Sequence, residues 1–460
     1  MLFAVGKDIR VYAPTDEFRQ WCKSELVINN PEYIKKVRLG KWLGDTPKTI
    51  SLYEDTPGVT IVPFGMLKTL FQRYGSNNQF KPEFEAIRAV DYKSSINPYD
   101  YQKEAIEKAI EAKNGVIVMP CGAGKTQTAL ELVARIGGRC LWLTHTQDLL
   151  NQSMNRAKSC FGVPVKDFGT ITSGKVNIQK ITFATVQTMC NIDLPKYEKM
   201  FDVVIVDECH RCIGSPTRVM QFYKVLTSIC ARYKFGLTAT PKRSDGLEKS
   251  MYALLGGIVY EVSKDAVKET TCPVKVITYK TGYIPNLDLV LSGDGTLNYS
   301  ALVDDLIENE ERFNFVGNII NRNTEGATLV LGNRVKYLQE LCECYDGKAV
   351  CLSAMGNSRS AKEERKNVLK QLNNGEIDCV FATYQLAKEG LDVPNLRCVV
   401  LATPEKDETT VTQATGRVGR KAEGKEYGVV IDFSDSFGLF NGWEKKRKKY
   451  YKTLEYEVYE

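Results

Sequence analysis

Met119–Thr126 reads MPCGAGKT, and Asp207–His210 reads DECH. The first stretch follows the apolar run GVIVM and precedes the helix-like run QTALELVARIGG. A glycine-rich turn between a strand and a helix leaves backbone N–H groups free to face an anion, and the helix start adds positive potential. Cys121, Gly122, Ala123 and Gly124 would form such a turn. Lys125 would neutralise the β- and γ-phosphates of ATP, and the Thr126 hydroxyl suits Mg2+. The usual eight-residue pattern opens on Gly, and here Met119 takes that place. An ordinary glycine-rich strand-to-helix turn is the plainer alternative.

The second stretch, FDVVIVDECHRC from Phe201 to Cys212, reads two ways. Cys209, His210 and Cys212 are soft ligands crowded into four positions, which suits zinc. Asp207 and Glu208 close an apolar run, which suits the acidic end of a buried strand. Zinc needs a fourth ligand, yet the chain has only two histidines, His145 and His210, and no second cysteine pair at ribbon spacing. The acidic reading therefore leads. Asp207 would hold Mg2+ directly or through water, and Glu208 would polarise the water that attacks the γ-phosphate. Cys209 is then a small filler and Cys212 a buried thiol.

Both stretches need strands and helices to position them. Apolar runs CLWLTH, KITFAT, VVIVDE and YKFGLTAT follow GVIVM, with helical stretches between them. Such alternation predicts a parallel sheet covered on both faces, with ligands at the carboxyl ends of the strands. The pattern becomes irregular after about residue 263 and resumes with ATLVLGN, AVCLSA, CVFATY, CVVLAT and YGVVIDF. The expected organisation is a small separate α+β module over 1–90, a first α/β domain over 91–262, a second over 263–440, and a basic tail over 441–460. RYGSNNQFKPEF reads as linker, and residues 283–312 interrupt the second α/β domain.

The 460 residues exceed one core, and 43% hydrophobic with 26% charged content describes a globular chain. A net charge of +6 permits a nucleic-acid partner without demanding one. No apolar run is long enough to span a membrane, and the start lacks a signal-peptide core, so a cytoplasmic location and reduced cysteines are expected.

Taken in order, the motifs resemble those of the superfamily 2 helicases. PCGAGKT looks like motif I, DECH like motif II, LTATP (237–241) like motif III, ATYQLAKEGLD (382–392) like motif V and QATGRVGR (413–420) like motif VI. LTHTQDLLNQ and ATVQTM are similar to the motifs between I and II. The resemblance covers 97 to about 435. PCGAGK and GLTATPKRSDG look nearest to XPB-type repair helicases and to phage-encoded relatives that migrate branches; a phage protein would work in the host cytoplasm. The XPB group carries Arg-Glu-Asp after motif III, where this chain has Arg243-Ser244-Asp245.

The resemblance implies two tandem RecA-like domains and an ATP-dependent motor on nucleic acid. It implies that Gln102 reads adenine beside Tyr99 or Tyr101, and that Gly390 and Asp392 hold a loop near the ribose. Arg417 and Arg420, three apart on an expected helix, would serve as arginine fingers on a nucleotide bound between the two domains, with Gln413 completing the motif. Thr238 and Thr240 would couple the acidic pair to the nucleic acid or serve as strand-end caps. Candidate strand contacts are His145, Thr146, Lys175, Thr185, Lys242, Arg334 and Thr383, gripping phosphates without reading sequence. Residues 1–90 are a candidate DNA-binding module; 283–312 would be a DNA-gripping insertion or a connector. The run at Lys445–Lys449 would add salt-dependent affinity or be a solvated helix.

The expected partner is single-stranded, forked or branched DNA, with RNA the lesser expectation and no membrane; the sequence names no protein partner. Rival readings are a double-strand translocase or branch-migration motor, an RNA helicase, a non-catalytic scaffold with a degenerate ATP site, and the motor subunit of a restriction system.

Overall fold

In the computed structural model, residues 1–460 are described apart from 121, 173, 174, 214, 242–245, 264, 268–270, 294, 324, 325, 357, 389, 390, 392 and 436. The chain divides into two units, Met1–Pro120 with Gly124–Ala266, and Cys121–Ala123 with Val267–Glu460. Among the described residues no helix is long and apolar enough to cross a membrane.

The first unit contains two larger sheets. Its N-terminal sheet has five strands in the order Glu54–Thr56, Val59–Pro63, Asp8–Tyr12, Leu2–Val5, Gln79–Pro82. Strand Gln79–Pro82 lies inside the stretch expected to be linker; it pairs in parallel with Leu2–Val5 and sets Phe80 against Phe3, ring centroids 4.3 Å apart. Phe3, Phe18, Trp21 and Tyr74 form the aromatic centre of this module. The module does not stand apart from the domain that follows. Lys7 pairs with Glu198 at 2.8 Å, and the ammonium of Lys234 donates to the Lys7 carbonyl at 2.9 Å. A Cβ on Gly65 would meet the backbone of Ala253 and Gly256 at 2.5 Å, so only glycine lets the two backbones touch there.

The second sheet has eight strands, ordered Lys175–Asn177, Gly169–Thr172, Ile181–Thr185, Cys140–Thr144, Val203–Val206, Tyr233–Thr238, Asn114–Val118, Ile258–Glu261. All neighbours are parallel except the edge strand Lys175–Asn177. Every residue of Asn114–Val118, Cys140–Thr144 and Val203–Val206 is buried, as expected for strands covered on both faces. This is the RecA-like arrangement that the alternating pattern predicts.

The second unit holds a seven-stranded, fully parallel sheet in the order Ala349–Cys351, Cys379–Thr383, Thr328–Gly332, Cys398–Leu401, Gly428–Ser434, Val274–Lys280, Glu457–Tyr459. Val274–Lys280 sits in the stretch that looked irregular, because its polar alternation masks a strand paired on both sides. Two buried ion pairs tie helices to the sheet. Arg312 meets Asp435 at 2.7 Å and also donates to the Tyr337 hydroxyl and the Ala402 carbonyl. Arg447 meets Asp432 at 2.8 Å.

The C-terminal segment is part of this sheet domain rather than a tail. Helix Gly438–Thr453 buries Phe440, Trp443, Arg447 and Tyr451, and Glu457–Tyr459 pairs with Val274–Lys280. Residues 283–293 and 295–308 form a small lobe. Tyr283, Val290, Leu302 and Leu306 pack on Phe440 and Trp443.

Candidate functional site

The phosphate loop is shaped by backbone conformation. Strand Asn114–Val118 ends just before it, and helix Lys125–Ile136 begins at its end, with Gly124 at the N-cap in a left-handed conformation (φ +77°). Gly122 also has φ +86°, a region that favours glycine. A Cβ on Gly124 would lie 2.5 Å from the Gln102 amide nitrogen. Gln102 is buried at the start of helix Asp100–Ala112, where its Oε1 accepts the Tyr99 N–H at 3.0 Å. Gln102 therefore braces the loop as well as capping its own helix. Tyr99 and Tyr101 stack on each other, centroids 5.6 Å apart. Lys125 and Thr126 stand in the first turn, both partly buried. Cys121 lies outside the described residues.

The acidic pair sits at the carboxyl end of a central strand. Val203–Val206 runs between Cys140–Thr144 and Tyr233–Thr238, and the Asp207 N–H donates to the Leu143 carbonyl. Asp207 Oδ1 accepts the Glu208 N–H at 3.0 Å, and Oδ2 lies 3.1 Å from the Ser153 hydroxyl. Glu208 has φ +48° and ψ +50°, a left-handed conformation that costs a residue with a Cβ about 1 kcal/mol or more. That turn sends its carboxylate toward Lys125, whose ammonium is 3.9 Å from Oε1. Glu208 Oε2 is buried 3.4 Å from His210 Nδ1 and accepts no hydrogen bond among the described residues.

The two neighbouring carboxyls are pulled apart electrically. Burial, with Glu208 second, raises the Asp207 pKa above the usual range; Lys125 and Ser153 oppose. Burial acts to raise Glu208 too, but Lys125, His210 and Arg211 outweigh it and hold Glu208 below its usual value. Two adjacent carboxyls held at different affinities for protons suit different tasks. Loop glycines, Lys125, Thr126 and the pair fit a nucleoside triphosphate with Mg2+.

Two of the three ligands of the zinc alternative are otherwise engaged, and the Cys212 side chain lies outside the described residues. Cys209 is fully buried with its sulfur 3.3 Å from Met251 Sδ. His210 Nδ1 lies 2.8 Å from the Thr238 hydroxyl, which also accepts the Thr240 N–H at 3.0 Å. Strand-end Thr238 thus links the acidic pair to the segment after it.

The expected nucleic-acid contacts are scattered. His145 is buried rather than presented on a surface. Burial, then Arg211, Arg218 and His210, push its pKa down to about 3, so it is neutral at physiological pH. Thr146 caps helix Gln147–Phe161, and Thr185 caps helix Val186–Cys190. Gln187 donates to the His145 carbonyl at 3.2 Å, tying these two strand ends together. Lys175 is exposed on the edge strand. Lys242 lies outside the described residues.

In the second unit, helix Glu408–Thr415 ends two residues before Arg417, so Arg417 and Arg420 do not share a helix face. Both lie in the turn that follows, where the Arg420 N–H donates to the Arg417 carbonyl at 3.3 Å. Gly428 packs closely on this turn: a Cβ there would meet the Val418 carbonyl oxygen at 2.2 Å. The Arg417 guanidinium donates to the carbonyls of Leu391 and Ala387 at 2.5 and 2.6 Å, bracing the motif V segment. Gln413 is half-buried on the helix. Gly390 and Asp392 lie outside the described residues. Arg334 pairs with Asp304 at 3.0 Å and reaches Ser300, so it fastens the 283–308 lobe instead of standing open to a strand. Thr383 caps the turn after its strand by accepting the Leu386 N–H at 3.2 Å.

Ser153 and Gln187 escaped sequence reading. Ser153 carried a faint signal: it falls on the apolar register Leu150, Met154, Ala157 of an amphipathic helix, where a hydroxyl needs a partner.

Comparisons with known proteins converge. Residues 95–243 match the family model of the type III restriction enzyme res subunit, and 311–422 match the helicase conserved C-terminal domain, together more than half the chain. A protein of Acanthamoeba polyphaga mimivirus named "Putative ATP-dependent RNA helicase L396" is 26% identical over 404 residues, spanning 84% of this chain and 74% of that one. The DNA 3'-5' translocase XPB2 of Sulfurisphaera tokodaii is 25% identical over 394 residues, spanning 76% and 86%. Among solved structures, S. cerevisiae Dbp5 bound to RNA and ADP BeF3 aligns with a TM-score of 0.56 at 16% identity, over 79% of this chain and 90% of that one.

Proposed function

We propose, from the premise that the chain belongs to the superfamily 2 helicases, that it is an ATP-driven motor that moves along or remodels DNA. Membership makes it a nucleic-acid-dependent ATPase with two RecA-like domains. One observation carries the chemical part of the reading: the Glu208 carboxylate, flanked by His210, and the Lys125 ammonium meet at the carboxyl edge of one sheet, beside a glycine loop.

The roles follow from what each group holds. N–H groups at the start of helix Lys125–Ile136 and the Lys125 ammonium bind and orient the phosphates. Glu208, kept ionised by Lys125 and His210, accepts a hydrogen bond from water, so that the lone pair of the water oxygen is aimed at phosphorus and its proton passes to the carboxylate. Thr126 and Asp207 are the residues that would hold Mg2+, which when bound neutralises phosphate charge. Arg417 and Arg420 are proposed to add cationic charge to the nucleotide during turnover. His210 and Thr238 carry the state of the acidic pair to the segment after Thr240.

DNA as the track is supported by the XPB2 relative, which this chain matches over 86% of its length. A second reading, RNA as the track, is favoured by the mimivirus relative. The test is ATP hydrolysis and strand displacement with single-stranded, forked, four-way and blunt duplex DNA and with RNA. Stimulation by DNA over RNA supports the proposal. Stimulation by RNA alone replaces the track, and activity on four-way or blunt duplex without unwinding of tailed duplex selects a double-strand translocase.

A further inference from the structure

Ten of the 21 large apolar side chains exposed among the described residues fall in two short stretches. Four of them, Ile34, Val37, Leu39 and Trp42, lie on and after helix Pro31–Arg38, and Trp42 is 88% exposed. Six, from Ile284 (77% exposed) through Leu287, Leu289, Leu291 and Leu297 to Tyr299, lie on the small lobe. Isolated exposed leucines need no explanation, but clusters mark contact sites.

The lobe is a built knob. Its inward face is filled by Tyr283, Val290, Leu302 and Leu306 against Phe440 and Trp443. The Tyr283 hydroxyl donates to Asp305 at 2.5 Å, Ser292 and Thr296 close a hairpin at 2.8 Å, and Leu291 bridges Leu297. The outward leucines are therefore surplus to the lobe's own core. Its charge is one-sided: from Thr281 to Glu311 there are seven Asp or Glu and no Lys, Arg or His. The whole chain carries +6, so everything outside this segment carries +13. An acidic apolar knob repels phosphates, which disfavours DNA as its ligand.

The other stretch has the opposite character. Residues 30–48 carry Lys35, Lys36, Arg38, Lys41 and Lys48 against Glu32 and Asp45. Trp42 and Leu43 stand at a groove of about 920 Å³, whose far wall includes Met220, Gln221 and Lys224. Its lining sets Lys36 and Lys224 beside Glu32 and Asp45, with Trp42 and Met220 as its apolar part, and the 30–48 segment beside it carries a net +3.

We propose that the acidic knob of one copy of this chain docks in the basic Trp42 groove of another, in a head-to-tail contact. The apolar surface of each faces that of the other and their segment charges are opposite in sign, a match that neither element offers to a copy of itself. Such a contact is heterologous, so it leaves one knob and one groove open at the ends and permits a row of molecules. A handful of side chains per face is well below the roughly 1,600 Å² of a standard interface, so association in the tens of micromolar is expected.

The test is sedimentation of the whole chain from about 5 to 200 µM, bracketing that expected range, at low and high salt. The natural chain should form dimers and longer species, several-fold weaker at high salt. One variant carries Leu287→Glu and Leu289→Glu; the other carries Trp42→Ala and Met220→Glu. Each alone should stay monomeric, with a native thermal melt as the folding control. Mixed one to one, they should form dimers and nothing longer, because one keeps the groove and the other keeps the knob. If either variant melts early, Asp288→Lys and Lys41→Glu replace them as a charge-swapped pair. A natural chain monomeric throughout, self-association untouched by the variants, or a mixture that stays monomeric would each overturn the proposal.

Discussion

Replacing Ser153 with alanine removes one hydroxyl from behind the Asp207 carboxylate and leaves every proposed phosphate contact in place. The hydroxyl has one proton and two acceptors, Asp207 Oδ2 at 3.1 Å and the Leu149 carbonyl at 3.0 Å. A hydrogen bond to an ionised group contributes about 1.5–3 kcal/mol, and sharing the proton places this one at the lower end, about 1.5 kcal/mol. That energy favours the ionised carboxylate over the protonated one. Its loss raises a carboxyl pKa already lifted by burial, so the proton competes better with the cation, and frees the carboxylate from the orientation in which it would face the metal. About 1.5 kcal/mol is roughly tenfold, at the low edge of what outer-shell partners of metal ligands usually contribute. The assay is steady-state ATP hydrolysis at fixed ATP with Mg2+ titrated. The Mg2+ concentration for half-maximal rate should rise about tenfold, by that same bond energy, while the rate at saturating Mg2+ recovers to within a few-fold. A Mg2+ requirement unchanged within about twofold would show that the hydroxyl serves only its own helix and that Asp207 is not the ligand.

Gly124→Ala combines a left-handed φ with a Cβ 2.5 Å from Gln102, and should weaken binding of a fluorescent ATP analogue by at least about tenfold; unchanged affinity would remove Gly124 from the phosphate cradle. Arg312→Ala strands Asp435 as a buried, unpaired charge and should cost about 3–5 kcal/mol in urea denaturation, a loss under about 1 kcal/mol contradicting the buried pair. Lys234 is fully buried, and burial pulls its pKa down to about 7. Unfolded, it keeps its proton to its ordinary value of 10.5, so between these limits the unfolded chain holds more protons and stability rises with pH, by about 1.4 kcal/mol per unit. From pH 7 to 9 the natural chain should therefore gain about 2–3 kcal/mol relative to Lys234→Met in thermal or chemical melts, and a constant difference would refute the burial argument.

Both α/β sheets were legible because their strands are buried on two faces, and unbroken apolar runs such as VVIV need no alternation to be seen. The phosphate loop and acidic pair were legible because chemistry fixes residue type and spacing there. What escaped depends on partners distant in sequence. Val274–Lys280 alternates like an edge strand, yet Gly428–Ser434 and Glu457–Tyr459 flank it. Arg417 and Arg420 look like a helical pair by spacing, but the helix ends at Thr415, and the turn beyond it is packed on Gly428, a partner distant in sequence. The basic run near the end reads as solvated until Arg447 is found buried on Asp432. Arg334 reads as a free cation until Asp304, thirty residues earlier, meets it.

The central claim is that Glu208 activates water over a nucleotide held by Lys125 and the glycine loop. Glu208→Gln keeps the shape and removes the basic oxygen, so DNA-stimulated ATP hydrolysis should fall by about 10²–10⁴-fold while the ATP analogue still binds within a few-fold of the natural chain. Hydrolysis that persists at near-natural rates in that variant would contradict the account.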